Sequence, residues 1–303
     1  MRIGSRRSAL ALAQAKLVAD RLEAAQPEDH EIVPFTTSGD CDAANGDKSR
    51  WVLELERALA AGEIDLAVHS AKDVPGELAD GLTLLGAPPR AGVEDVLCGV
   101  GSLEELRAGA RVGTSSLRRT AQLRAARDDL EVVALHGNVD TRLRKLAEGE
   151  LDAVVLARAG LQRLGREAEI GAVLDPERFV PAPGQGALAL EGRVADARAR
   201  DAVAEIVDGD TFACLRAERA LARELSATCN TPLGAYAVPA GCGCLHMRAW
   251  VGLPDGSAWI ADELLGGFYD PEELGRRVGE RLTATGAGEL LRQAEEMAGV
   301  GNP

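Results

Sequence analysis

One pattern constrains this chain more than any other. A strand, a glycine-serine turn and a helix occur twice, in the same order. Arg2-Ile3-Gly4-Ser5 opens the chain, and Arg111-Val112-Gly113-Thr114-Ser115-Ser116 repeats it. Each leads into a helix with an Ala-Gln pair, Ala13-Gln14 and Ala121-Gln122. Further on, Gly62-Glu63-Ile64-Asp65-Leu66-Ala67-Val68 is echoed by Gly149-Glu150-Leu151-Asp152-Ala153-Val154-Val155. Strands alternating with helices bury a parallel sheet between helical layers. Two echoes in register predict two α/β, doubly wound lobes of like design, and are too few for a solenoid.

Local signals fill in the elements. Residues 2–4, 31–37 and 64–68 read as strands of the first lobe. Ser8 is a predicted N-cap, followed by Leu10, Gln14, Leu17, Arg21 and Leu22 at helical spacing. Residues 51–61 read as a second helix with Leu55 and Leu59 on one face. Pro181-Ala182-Pro183-Gly184-Gln185-Gly186 reads as a hinge, after which 187–190 returns a strand to the first lobe. The last third is a small α+β unit. It has a helix over 210–225 with Leu215, Leu221 and Leu225 inward, and two strand-like runs flanking the turn Pro254-Asp255-Gly256-Ser257. A terminal helix follows, capped by Asp270 with Pro271 at its first position and Leu274, Val278 and Leu282 buried. The expected domains are 1–88 with 186–207, then 92–182, then 210–303. The chain has 303 residues, 46% of them hydrophobic but only 3% aromatic, so its cores must be built from Leu, Val and Ala.

A formal charge of −14 argues against nucleic acid as a partner, because such binding is mostly phosphate neutralisation. No apolar run is long enough to span a bilayer and no leader pattern opens the chain, so the expectation is a cytoplasmic protein without a membrane partner. The six cysteines are expected as thiols. Against the acidic background, cations cluster after strand ends. Arg6, Arg7 and Ser8 follow the first strand. Lys72 and Asp73 follow a later strand of the same lobe. Thr114, Ser115, Ser116, Arg118 and Arg119 open the second lobe's first helix. His136, Gly137, Asn138 and Arg142 follow its second strand, with Arg163 beyond its third. Ligands of open α/β sheets bind at carboxyl ends of strands, beside helix N-termini. Arginine forks suit carboxylates, so the predicted ligand is a polycarboxylate held between two lobes. No Gly-x-x-x-x-Gly-Lys-Ser/Thr loop is present, which argues against a nucleoside triphosphate. Arg124, Arg127, Arg144 and Arg166 read as solvated helix faces.

Asp73 reads either as a helix cap or as a carboxylate set among cations, able to stabilise a positive charge. Cys229 lies in a loop between helix and strand. Its spacing alone leaves open a nucleophile, an attachment point or a buried spectator. Cys242-Gly243-Cys244 with His246 is half of a zinc ligand set, so no metal is expected. His69 reads as a structural hydrogen-bonding residue.

Several long motifs resemble the porphobilinogen deaminase (hydroxymethylbilane synthase) family. They are Val68-His69-Ser70-Ala71-Lys72-Asp73-Val74-Pro75, Val112-Gly113-Thr114-Ser115-Ser116-Leu117-Arg118-Arg119, Gly137-Asn138-Val139-Asp140-Thr141-Arg142, Ala159-Gly160-Leu161-Gln162-Arg163-Leu164-Gly165 and Pro183-Gly184-Gln185-Gly186-Ala187. The resemblance implies two lobes like type II periplasmic binding proteins and a third, cysteine-bearing domain. It implies a dipyrromethane cofactor in thioether linkage to Cys229, four additions of porphobilinogen with loss of ammonia, and hydrolytic release of hydroxymethylbilane. It assigns charge stabilisation to Asp73, and cofactor binding to Lys72, Ser8, Thr114, Ser116, Arg118, Arg119 and Arg142. It assigns substrate contacts to Arg6, Gln14, His136, Arg163 and Gln185, the last lining the cleft near the hinge, and a lid contact to Lys48. It also implies a monomer that hands its product to a following enzyme. The chain departs from the family where His136 replaces an arginine, which predicts weaker carboxylate binding as the ring loses its proton at higher pH. It departs again in a shortened segment after Gly39-Asp40, at Ala227-Thr228, and at Arg90-Ala91-Gly92-Val93-Glu94-Asp95. Two rivals stand beside this reading. One is a two-lobed binding protein for a small polycarboxylate without catalysis, which a protein lacking any covalent pyrrole would favour. The other is a different cysteine enzyme with a free, alkylatable Cys229.

Overall fold

The structure is a computed structural model and describes residues 1–36, 52–228 and 230–299. Lys48 and Cys229 lie outside the described residues.

The first sheet is built from β1 (Arg2–Arg6), β2 (Glu31–Phe35), β3 (Leu66–Ser70) and β4 (Leu82–Gly86), joined by β10 (Leu188–Arg193) from far along the chain. Its order is β2-β1-β3-β10-β4. β1 lies parallel to β2 and β3, whereas β10 runs antiparallel between β3 and β4. Helix α1 (Ala9–Ala25) lays Ala15, Val18 and Leu22 on Ile3, Leu66, Val68 and Leu190. Helix α2 (Leu53–Ala60) lays Leu55 and Leu59 on Ile64 and Ala67, as their spacing predicts. Ser8 caps α1 by accepting from the Ala11 amide at 3.3 Å, a contact that stabilises a helix by about 1 kcal/mol.

The second sheet repeats the plan. It contains β5 (Asp95–Cys98), β6 (Arg111–Gly113), β7 (Glu131–Val133), β8 (Ala153–Ala157) and β9 (Ala172–Val173). The order is β7-β6-β8-β5-β9, with β6 parallel to β7 and β8, and β5 antiparallel to β8 and β9. Helices α3 (Leu117–Ala126), α4 (Val139–Ala147) and α5 (Arg158–Arg163) follow its parallel strands. Each lobe is therefore a parallel α/β sheet completed by one antiparallel strand that the chain delivers as it crosses between lobes. The crossings run side by side. The Ala91 amide donates to the Gly186 carbonyl at 3.1 Å. A Cβ on Gly186 would stand 2.6 Å from the Ala91 carbonyl oxygen, so only glycine permits the approach.

After α6 (Ala197–Ala204), the long helix α7 (Gly209–Glu224) enters the last third. There the antiparallel meander β11 (Leu233–Gly241), β12 (Cys244–Gly252) and β13 (Trp259–Gly267) packs on α7 and on α8 (Pro271–Ala284). Leu221, Leu245, Met247, Leu274, Val278 and Leu282 share that core. Asp270 is the N-cap of α8 and Pro271 its first residue, as expected, although the Asp270 side chain makes no cap bond. One expectation needs correction. The chain also forms a further helix, α9 (Ala287–Met297), because Gly286 takes a left-handed φ of 100° and breaks the run. Among the described residues, no helix is long and apolar enough to cross a membrane.

Candidate functional site

The parallel strands of both lobes end toward one junction. On the first lobe, β1 delivers half-buried Arg6, and α1 carries Ser8 and the buried Gln14. β3 ends in a short 3-10 turn, Ala71–Asp73, that presents half-buried Lys72 and Asp73. On the second lobe, Ser116 caps α3 and accepts from the Arg119 amide at 3.5 Å. Buried Thr114 offers its hydroxyl oxygen to the Ser116 amide at 3.2 Å. Asn138 caps α4 in the same way, accepting from the Thr141 amide at 2.9 Å. Three helix N-termini thus open beside the strand ends, each with partial positive charge.

Contacts tie these pieces into one neighbourhood. A Cβ on Gly160 of α5 would meet Leu10 of α1 at 3.8 Å and Val139 of α4 at 4.0 Å, so helix starts from both lobes abut. A Cβ on Gly184 would meet Ala71 at 3.0 Å, placing the hinge against the turn that carries Lys72 and Asp73.

The predicted cations divide into two kinds. Arg118 and Arg119 point inward, onto Asp95 at the start of β5. Arg118 Nη1 donates to Asp95 Oδ2 at 2.7 Å and to the Val180 carbonyl at 2.8 Å. Arg119 Nε donates to Asp95 Oδ1 at 3.0 Å and its Nη1 to the Val155 carbonyl at 3.0 Å. Gln185 Nε2 donates to Asp95 Oδ1 at 2.9 Å and to the Val93 carbonyl at 2.7 Å. Arg118 and Arg119 are 3% and 7% exposed and Gln185 is 0% exposed. Burial by itself would raise the Asp95 pKa, but the two guanidinium groups and their hydrogen bonds outweigh it and hold the carboxyl far below its usual range. Gln185 therefore braces the hinge from within instead of lining an open cleft, and Arg118 and Arg119 are largely committed to an internal anion.

Arg142 and Arg163 are the other kind. Arg142 donates to the Gly137 carbonyl at 2.8 Å and to Ser115 Oγ at 3.3 Å. Arg163 donates to the Gly186 carbonyl at 2.6 Å, and its Nε is buried with no hydrogen-bond partner. Neither makes a salt bridge among the described residues. Burial, aided by nearby Arg119, pushes Arg142 down to about 10, and burial does the same to Arg163, also to about 10. Both are half-buried, and a cation partly withdrawn from water without a carboxylate is one that an incoming anion can pair. His136 stands exposed at the approach to α4.

Three residues that the motifs did not single out organise the junction. Glu218 of α7 is fully buried and accepts from Arg90 Nη1 and Nη2 at 2.7 and 3.0 Å. It also accepts from the Gly184 amide at 2.6 Å and the Ala237 amide at 2.8 Å. One carboxylate thus joins both crossings to the last domain. Asp95 is the second such residue, and its signal in the sequence is an acid that opens an apolar strand. Arg219, next to Glu218, is the third. Among the arginines read as solvated, Arg144 and Arg166 do pair with surface acids. Arg124 instead donates to the Pro254 carbonyl at 3.1 Å, docking the last domain's hairpin on α3. Arg127 likewise serves the Leu103 and Leu106 carbonyls. His69 is structural, paired within the first sheet with Glu191 at 2.9 Å.

Fold and site define a two-lobed α/β protein with helix N-termini and guanidinium groups lacking a salt-bridge partner among the described residues where its lobes meet. Comparison with known families narrows this. A model described as "Porphobilinogen deaminase, dipyromethane cofactor binding domain" matches residues 1–201, and "Porphobilinogen deaminase, C-terminal domain" matches 212–284. Similar curated proteins include a porphobilinogen deaminase of Stenotrophomonas maltophilia (strain R551-3), 46% identical over 299 residues, covering 96% of this chain and 98% of that one. Another, of Brevibacillus brevis, is 42% identical over 300 residues, covering 96% of each. Among solved structures, a methionine binding protein, MetQ, covers 67% of this chain and 87% of its own at 17% identity and a TM-score of 0.44. The chain belongs to the porphobilinogen deaminase family, a family of transferases.

Proposed function

We propose that this chain condenses four porphobilinogen molecules head to tail on a dipyrromethane primer carried by Cys229, releasing ammonia at each addition and then hydroxymethylbilane by hydrolysis. The observation that carries the reading is the pair of half-buried guanidinium groups, Arg142 and Arg163, with no salt-bridge partner among the described residues. Every pyrrole of such a chain bears acetate and propionate groups, and these complete what the two arginines lack.

When bound, the dipyrromethane supplies a nucleophilic pyrrole carbon. Arg142, Ser116 and Thr114, at the strand and helix ends of the second lobe, are the groups placed to hold its carboxylates, with Lys72 and Ser8 across the junction. Arg118 and Arg119 add positive potential from behind, since each is already bonded to Asp95. Arg163, Arg6 and Gln14 orient the incoming substrate, with His136 at the rim. Loss of ammonia leaves the substrate pyrrole electron-poor and positively charged. Asp73 stabilises that charge, since a fixed carboxylate in a partly dry site counts for more than one in water. In this reading the unit carrying Asp73 comprises 1–88 and 186–207, the unit carrying most of the arginines 92–182, and the unit carrying Cys229 210–303. The family also implies a cytoplasmic monomer that passes its product to the next enzyme.

Intact mass tests the proposal. Wild-type protein should exceed its sequence mass by one dipyrromethane, colour with an aldehyde reagent for pyrroles, and gain mass on porphobilinogen in steps of one substrate less ammonia. Cys229→Ala should show the bare sequence mass and no steps. A wild-type mass equal to the sequence, with Cys229 freely alkylated, would overturn it.

A further inference from the structure

Asp73 ends a short 3-10 turn, Ala71–Asp73, which the Val74 amide closes on the Ala71 carbonyl at 3.2 Å. Beyond it, Pro75 has no amide to give. The carbonyls of Val74, Pro75 and Gly76 are met instead by one side chain from another part of the molecule. Arg219 of α7 donates Nη1 to the Val74 carbonyl at 3.3 Å, and Nη2 to the Pro75 and Gly76 carbonyls at 2.8 and 2.9 Å. Arg219 is 7% exposed. It makes no salt bridge among the described residues, and its fork is turned to these carbonyls. Burial, with Arg223 nearby, pushes Arg219 down to about 10. Leu215, one turn earlier on α7, packs in the same cluster as Ala71 and Val74. The same helix ends at Glu224, five residues before Cys229.

We propose that Arg219 is a positioning residue for Asp73: by gathering the three carbonyls that follow it, α7 of the last domain fixes where the carboxylate stands. A hydrocarbon of similar volume would fill this space without the cost of burying a cation. What the guanidinium adds is direction, since its donors fix three consecutive peptide planes at once. A misplacement of about 1 Å at a reacting group is enough to lower turnover about 100-fold. The inference rests on the role proposed for Asp73 above.

The test compares full-length, cofactor-loaded wild type with Arg219→Lys, Arg219→Gln and the control Arg216→Gln, whose ion pair with Glu272 lies on the exposed side of α7. Loading is measured by intact mass and kcat is expressed per loaded molecule. We expect kcat to fall about tenfold in Arg219→Lys and about 100-fold in Arg219→Gln, with KM within about twofold. Amide hydrogen exchange over residues 70–78 should quicken in the same order, and the control should match wild type. A purely structural role would lower the melting temperature and leave kcat per loaded molecule unchanged. That result, a loss confined to KM, or unaltered exchange over 70–78 would each overturn the proposal. If Arg219→Gln does not fold, the lysine variant decides alone, because one ammonium cannot reproduce the fork. If wild type consumes no porphobilinogen, the activity assignment fails, and the exchange measurement still decides whether Arg219 holds the turn.

Discussion

Replacing Asp95 with asparagine removes one charge and almost no volume, so its effect isolates electrostatics. Asp95 is 1% exposed and serves Arg118, Arg119 and Gln185 together. Asparagine leaves two buried guanidinium groups facing each other without an anion, and turns an amide donor toward donors. Removing one partner of a buried, hydrogen-bonded pair costs about 3–5 kcal/mol. At about 2–4 °C per kcal/mol, the unfolding transition should drop by about 6–20 °C. The sign of its pH dependence follows from the depressed carboxyl. Asp95 contributes fully above its unfolded pKa of about 3.9 and loses that contribution as pH falls toward its lower folded value. The wild-type advantage should therefore be flat from pH 7 to about pH 5. It should shrink by about 1.4 kcal/mol per unit below about pH 3.9. Paired melts of wild type and Asp95→Asn across pH 3–7 measure both features. An Asp95→Asn protein melting within about 2 °C of wild type at pH 7 would refute the claim that this carboxylate compensates the two arginines.

The remaining predictions concern groups on the ligand side. Arg163→Gln should weaken porphobilinogen binding about 10- to 100-fold, the worth of one charge-assisted hydrogen bond, read as KM in steady-state kinetics, whereas Arg142→Gln should lower the fraction of protein carrying the dipyrromethane, read by intact mass. Because neither arginine has a salt-bridge partner among the described residues, neither change should lower the melting temperature, and a large drop would show that the charge serves the fold. His136→Arg should lower KM severalfold by supplying a permanent fork at an exposed position, without changing thermal stability.

Much of the fold was legible because its signals are local. Alternating strand and helix patterns gave both lobes, and Ser8, Leu55, Leu59, Leu274, Val278 and Leu282 behave as their spacing predicts. The strand after the first crossing was harder, because β5 is short and is placed by its antiparallel pairing with β8 instead of by a local pattern. The candidate site was legible in composition but not in direction. Arg118, Arg119 and Arg142 all follow strand ends, and the rule that such residues face a ligand does not say which are claimed by a carboxylate brought from another strand. Asp95 lies 23 residues from Arg118, and Arg219 lies 145 residues from Val74, so no periodicity connects them. Glu218 was equally hidden, because a mid-helix glutamate on a charged helix reads as a solvated face until three elements converge on it.

How each buried cation is compensated sorts the arginines by task. Arg90, Arg118 and Arg119 are met by buried carboxylates, and each of these pairs joins elements that separate stretches of chain contribute. Arg219 is met by carbonyl dipoles, and it joins the last domain to the turn after β3. Arg142 and Arg163 have only single carbonyl or hydroxyl contacts. In a chain of formal charge −14, acidic side chains are abundant, so a half-buried guanidinium left without one reflects the fold's arrangement rather than a shortage of anions. Arg163 also holds the Gly186 carbonyl, and Gly186 lies in the returning crossing beside Gln185, whose amide reaches Asp95. A charge brought to Arg163 would therefore act on the carbonyl through which the two crossings are bonded to each other.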